Sequence, residues 1–172
     1  EYDFQTGKTT VLLRDLHFAN GVAVGPDDAY VLVNETSEYR IRRYWLKGEK
    51  AGTSDVFVEN LPGFPDNLSY NGQDRIWVAL YAPRKRQLDA LLPNPYLRKI
   101  VARLPDFMQP KTAMHSWVLA FDLDGKLVAN YQYAGGGAYA PITSVEQYDQ
   151  ELFFGSLSDT AIGRIALSRL PQ

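Results

Sequence analysis

Asn20, Asp66 and Asn67 each stand just ahead of an apolar-alternating run, first in Phe18-Ala19-Asn20-Gly21-Val22-Ala23-Val24 and again, 46 residues on, in Phe64-Pro65-Asp66-Asn67-Leu68-Ser69-Tyr70. Amide and carboxylate oxygens are the donors that a hard divalent cation prefers. If the two runs are equivalent strands of a repeated unit, the three side chains project from successive units toward a common axis. The competing reading has Asn20 and Asn67 capping turns between units. Asp66 discriminates better, because a carboxylate on an apolar inner strand is costly to bury unless it is paired or metal-bound.

The imidazoles are the other groups able to move protons near neutral pH. His17 directly precedes the first run, three residues from Asn20, and so is placed to reach the same mouth; a loop histidine is the competing reading. His115 stands where a strand resumes after an interruption, in position to shuttle protons if that interruption folds over a pocket. Cysteine is absent, which removes disulfides, thiol nucleophiles and thiolate metal sites together. Glu35 ends an apolar strand and is expected to pair with Arg40 or Arg42 rather than act in catalysis. Asp122-x-Asp124-Gly125 begins like a calcium loop but lacks its remainder, and reads as a hairpin turn.

The elements that must hold these groups are strands. In 172 residues there are 13 Gly, 10 Pro and 13% aromatic residues, the mixture that many short strands and tight turns require. One strand-turn-strand pattern occurs three times. Tyr30-Val31-Leu32-Val33-Asn34-Glu35-Thr36 leads to Arg40-Ile41-Arg42-Arg43-Tyr44-Trp45-Leu46; Ile76-Trp77-Val78-Ala79-Leu80-Tyr81 is resumed at Ser116-Trp117-Val118-Leu119-Ala120-Phe121-Asp122-Leu123; Leu152-Phe153-Phe154-Gly155-Ser156-Leu157-Ser158 leads through Asp159-Thr160 to Ile162-Gly163-Arg164-Ile165-Ala166-Leu167. Four strands in roughly 40 to 45 residues make a β-propeller blade, so the fold class is all-β, about three blades. The last copy shows three strands only. Near the start, Tyr2-Asp3-Phe4 and Thr10-Val11-Leu12-Leu13 read as closing strands of a further blade.

Residues 83–111 interrupt the second blade. Their prolines bracket two helical patterns, and in the second Tyr96, Leu97, Ile100, Val101 and Leu104 share a face, with Leu97, Ile100, Val101 and Leu104 expected to be buried against the propeller. Seven basic residues against Asp89 and Asp106 give this insertion +5, leaving −7 for the rest of a chain whose net charge is −2. That balance argues against nucleic acid as a partner of the whole molecule, while the basic stretch 84–111 is a candidate lid or membrane-surface contact. No apolar run reaches the roughly 20 residues of a spanning helix.

With Asn20-Gly21-Val22-Ala23, Val31-Leu32-Val33-Asn34-Glu35-Thr36, Arg43-Tyr44-Trp45-Leu46-Lys47-Gly48 and Pro62-Gly63-Phe64-Pro65-Asp66-Asn67, the chain resembles the strictosidine synthase-like family, six-bladed propellers akin to paraoxonases, gluconolactonases and diisopropyl-fluorophosphatase. The resemblance implies that residues 1–172 are the C-terminal half of such a propeller. It also implies an axial calcium, with Asn20 matching the family's Asn-Gly and Asp66 with Asn67 its Asp-Asn. Calcium takes roughly six to eight oxygens, so the remaining ligands, a first-blade glutamate among them, would lie upstream of Glu1. The missing half, or a second copy pairing along open edges, is then an expected partner.

True strictosidine synthases condense an amine with an aldehyde through a last-blade glutamate. Here that neighbourhood reads Ile142-Thr143-Ser144-Val145-Glu146-Gln147; Thr143 or Ser144 takes the glutamate's place, and Glu146 would have to shift by two or three residues to substitute. What the resemblance then implies is metal-assisted hydrolysis of a small ester, lactone or phosphotriester. The alternatives are a non-catalytic scaffold binding a partner or membrane surface and, as a minor one, amine-aldehyde condensation through Glu146.

Overall fold

The computed structural model describes residues 1–91, 93–105 and 114–171. Strands β3 (Ala19–Val24), β4 (Tyr30–Glu35), β5 (Arg40–Trp45) and β6 (Ser54–Val58) form a four-stranded antiparallel meander. A second meander contains β7 (Gly63–Tyr70), β8 (Ile76–Pro83), β9 (Ser116–Phe121) and β10 (Leu127–Tyr133), and a third contains β11 (Ile142–Tyr148), β12 (Glu151–Ser156) and β13 (Gly163–Ala166). The fold is all-β, three consecutive propeller blades with a helical insertion in the middle one.

The two central strands of the middle blade, β8 and β9, are largely apolar because both of their faces are covered. Along β8, Ile76, Val78 and Leu80 enter the core shared with the first blade, while Trp77 and Ala79 enter the core shared with the third. Along β9, Leu119 and Phe121 go one way and Val118 and Ala120 the other. The two-residue period of a strand thus splits one apolar run between two cores. Each large side chain so buried contributes roughly 1.5–3 kcal/mol. The flanking blades each cover one face only, and Val22, Val24 and Val56 of the first and Tyr148 of the third are exposed.

Turn chemistry sets the hairpins. Asp122 Oδ1 accepts the N–H groups of Asp124 (3.0 Å) and Lys126 (2.9 Å), so the calcium-loop look-alike is a side-chain-stabilised turn between β9 and β10. The N-terminal segment departs from expectation: the second strand there is Lys8–Thr9 (β2) rather than residues 10–13, paired with Tyr2–Asp3 (β1). The Asp3 carboxylate takes the Gln5 N–H (2.8 Å) and the Thr6 hydroxyl (2.6 Å), and Gly7 at φ +69° completes the reversal, so the chain turns back sooner than its apolar pattern indicates.

Both helical patterns of the insertion form helices, α1 (Arg86–Leu91) and α2 (Pro95–Ala102). Asn94 caps α2, its Oδ1 accepting the N–H groups of Tyr96 (3.1 Å) and Leu97 (3.2 Å), with Pro95 as the first helical residue. Helix α1 is tied to the first blade through Asp89, which accepts from the Tyr39 hydroxyl (2.7 Å) and Arg84 Nε (3.2 Å). The apolar face of α2 is not buried as expected: Tyr96, Leu97 and Ile100 are exposed, and Val101 and Leu104 half-buried. Helix α2 neighbours α1, whose Asp89 bonds Tyr39 of the first blade, while the apolar face of α2 does not find the blade surface expected of it. Of the expected 83–111 insertion, residues 106–111, with Asp106 and Lys111, lie outside the described residues.

Candidate functional site

The innermost strands β3, β7 and β11 run side by side, and their polar residues fall at matched levels. Gly21 lies against the second blade so closely that a Cβ there would sit 2.5 Å from Asn67 Cα and 2.6 Å from the Asp66 carbonyl oxygen. Glycine is required by this approach, not by its dihedral angles. On the other side Asn67 Nδ2 donates to the Thr143 carbonyl (2.9 Å), Ser69 Oγ to the Val145 carbonyl (2.8 Å), and Asn71 Nδ2 to Gln147 Oε1 (3.1 Å). These partners are 76 residues apart each time, against 46 between Gly21 and Asn67. The extra 30 residues match the length of the insertion, so the insertion leaves the axial register undisturbed.

Asn20 and Asp66 occupy one level and Gly21, Asn67 and Thr143 the next, so the three candidate ligands are brought together. The first blade grips β7 around them. Thr36 Oγ1 donates to the Pro65 carbonyl (2.6 Å) and accepts from Asn20 Nδ2 (3.3 Å), while Asn34 Nδ2 donates to the Asp66 carbonyl (2.8 Å). Asn34 is wholly buried, and its Oδ1 has no partner among the described residues.

Asp66 is half-buried, and burial pushes its carboxyl above the usual carboxylate range, with the hydrogen bond from Asn20 acting the other way. Asn67 Nδ2 lies 3.3 Å from Asp66 Oδ1, and no ion pair to Asp66 occurs among the described residues. A desolvated carboxylate beside two carboxamide side chains, with no cationic partner among the described residues, is a set of side chains that fits a hard cation.

Residues 1–49 match the family model described as strictosidine synthase. The adipocyte plasma membrane-associated protein of Salmo salar is 34% identical over 176 residues, covering 99% of this chain and 42% of that protein. The protein strictosidine synthase-like 10 of Arabidopsis thaliana is 37% identical over 163 residues, covering 91% of this chain and 43% of that protein. The chain belongs to the strictosidine synthase-like family. It spans about two fifths of the length of these relatives. Among solved structures, a calcium-binding protein, regucalcin, from Agrobacterium tumefaciens superposes with a TM-score of 0.55 at 18% identity, over 90% of this chain and 44% of that one, a likeness of fold.

Within this member of the family the candidate acid-base residues lie apart from one another. The His17 ring is exposed and engaged by Glu38, Nδ1 to Oε1 at 2.5 Å. His115 stacks on Trp117 (centroids 5.1 Å apart), with Nε2 3.2 Å from Gln132 Oε1, away from the inner strands. Glu146 is on the inner strand β11, three residues beyond Thr143, or about 10 Å further along the axis at the rise of a strand. Its side of the strand is open to solvent, yet the protein around its carboxyl raises the pKa, against a lowering contribution from the Ser69 hydroxyl.

Two further residues, Asn34 and Thr36, have roles that their sequence left unassigned, while Glu35 takes the Arg40 partner expected of it. Glu35, wholly buried, accepts Arg40 Nε (2.6 Å) and the His17 backbone N–H (2.8 Å), which pins the loop entering β3. Asn34 and Thr36 bridge blades as described above. The signal was a polar Asn-Glu-Thr ending an otherwise apolar strand, since buried polar groups are almost always partnered.

Proposed function

We propose that this chain contributes the Asp66, Asn20 and Asn67 ligands of an axial divalent cation, calcium by the character of the donors, in a hydrolase acting on a small ester, lactone or phosphotriester. The observation that carries the reading is Asp66: a half-buried carboxylate with a raised pKa and no cationic partner among the described residues, level with the Asn20 carboxamide and next to that of Asn67. A calcium-binding protein of the same fold adds support at the level of architecture only.

When bound, such a cation supplies Lewis-acid polarisation of a carbonyl or phosphoryl oxygen and a lowered pKa for bound water. The residues present do the rest. Asp66 supplies the negative charge, and Asn20 and Asn67 orient neutral oxygens. Thr36 and Asn34 fix the β7 backbone on both sides of Asp66, which limits reorganisation when the ligands are engaged. Three side chains fall short of the roughly six to eight oxygens calcium takes, so further donors belong to water, substrate or residues outside this chain.

The test uses the full protein. Hydrolysis of aryl ester, lactone and organophosphate substrates should be lost with chelator and restored by calcium, and Asp66→Ala should lower calcium affinity and activity together. Asn20→Ala should do the same less severely, because a dication loses more with a charged ligand than with a neutral one. Asp66→Ala with unchanged calcium dependence would end this reading. Absence of hydrolysis with or without calcium would leave a binding scaffold.

A further inference from the structure

Helix α2 turns outward a set of side chains that the blades do not use. Tyr96, Ile100 and Leu97 are exposed to 79%, 59% and 42%. At 100° per residue they span an arc of about 100°, and the half-buried Val101 extends that arc by about 40°. Cations border it on both sides. Lys99 and Arg103 lie within about 60° of Tyr96, and Arg98 lies about 60° beyond Val101. All three are exposed and form no ion pair among the described residues.

We propose that α2 is a docking surface for an anionic phospholipid bilayer, with Tyr96, Leu97 and Ile100 entering the acyl boundary and Arg98, Lys99 and Arg103 at the level of the phosphates. Charge complementarity selects this occupant. The insertion carries +5 and the rest of the chain −7, so a negatively charged surface attracts the insertion and repels the remainder, which orients the molecule. A protein groove would have to match an apolar arc and two basic borders at once, whereas a bilayer offers apolar depth beneath anionic headgroups along any direction. Asn94 and Pro95 preform the helix, so docking needs little ordering. Three apolar side chains and three cations are each weak anchors, and stable attachment needs both together.

Co-sedimentation of the full protein with phosphatidylcholine vesicles, with and without about 30% phosphatidylserine, tests this. Binding should require phosphatidylserine and weaken as salt rises. Arg98→Glu, Lys99→Glu and Arg103→Glu combined should cut binding at least tenfold, since each basic residue near the surface contributes roughly fivefold. Tyr96→Glu with Ile100→Glu should also cut it about tenfold or more, with the thermal unfolding midpoint unchanged because both side chains are already solvated. Binding unaffected by either set, binding equal on uncharged vesicles, no vesicle binding by the unmodified protein, or α2-dependent capture of an acidic protein in place of vesicles would each overturn the proposal.

Discussion

Two carboxylates at the junction of the first two blades meet opposite fates. Glu35 is wholly buried, and although burial alone pushes its carboxyl up, Arg40 and the His17 N–H more than offset that and hold it below the usual carboxylate range. Asp66 is less buried, yet burial prevails over the opposing hydrogen bond from the Asn20 amide. Depth therefore does not decide the state of either group; the partner does. The Glu35 corner spends its charge internally on chain geometry, whereas Asp66 has no ion-pair partner among the described residues, and the shared bridge between them is Thr36, next to Glu35 in sequence and bonded to Asn20 and to the carbonyl preceding Asp66.

The contrast breaks most visibly at Glu35. Glu35→Ala strands the Arg40 guanidinium beside a buried void and should cost about 3–5 kcal/mol in chemical denaturation, in the range for removing one partner of a buried pair; Asp66→Asn, with chelator present, should leave stability unchanged or raise it. Equal losses would mean that both carboxylates are structural. Next in size is Gly21→Ala, which must push β3 from β7 and should cost about 1–3 kcal/mol by the same measurement, as overpacking does.

Thr36→Val removes one donor to a buried carbonyl and should cost about 1–2 kcal/mol. It should also weaken calcium binding followed by titration calorimetry, while Thr36→Ser restores both; a stability loss with unaltered binding would separate the bridge from the site. The smallest effect is in pH dependence. Because the folded-state pKa of Glu35 is lowered, its contribution is present above the ordinary glutamate value and is lost as pH falls through the depressed one. The folded-state pKa of Asp66 is raised, so its ionisation penalty is absent below the ordinary aspartate value and grows as pH rises through the elevated one. Thermal midpoints under chelation across acidic pH should therefore lose an opposing slope in Asp66→Asn and an acid-side fall in Glu35→Gln.

The axial residues were legible because repetition announces them: polar groups ahead of equivalent apolar strands, 46 residues apart, do lie at one level. The blade strands were legible too, since apolar alternation and turn residues are local properties. Asn34 and Thr36 were not, because their partners belong to a neighbouring blade and nothing in their own strand names a carbonyl of residue 65 or 66. Glu146 shows the same limit: its distance along the axis follows from cross-blade bonds such as Asn67 to Thr143. In α2 the helical period showed which residues share a face, but not whether that face meets a blade or water. The β1–β2 hairpin eluded strand patterning because one aspartate's side-chain bonds set the reversal.

The insertion lengthens one hairpin by about 30 residues of loop and helix, yet the bonds from β7 to β11 keep a single offset throughout. Strands β8 and β9 thus act as a splice point, where sequence can be exchanged without retuning the level of Asn20, Asp66 and Asn67. The inner-strand polar groups and the helical insertion are therefore separable in the chain, so the sequence between β8 and β9 can vary while Asn20, Asp66 and Asn67 keep their levels.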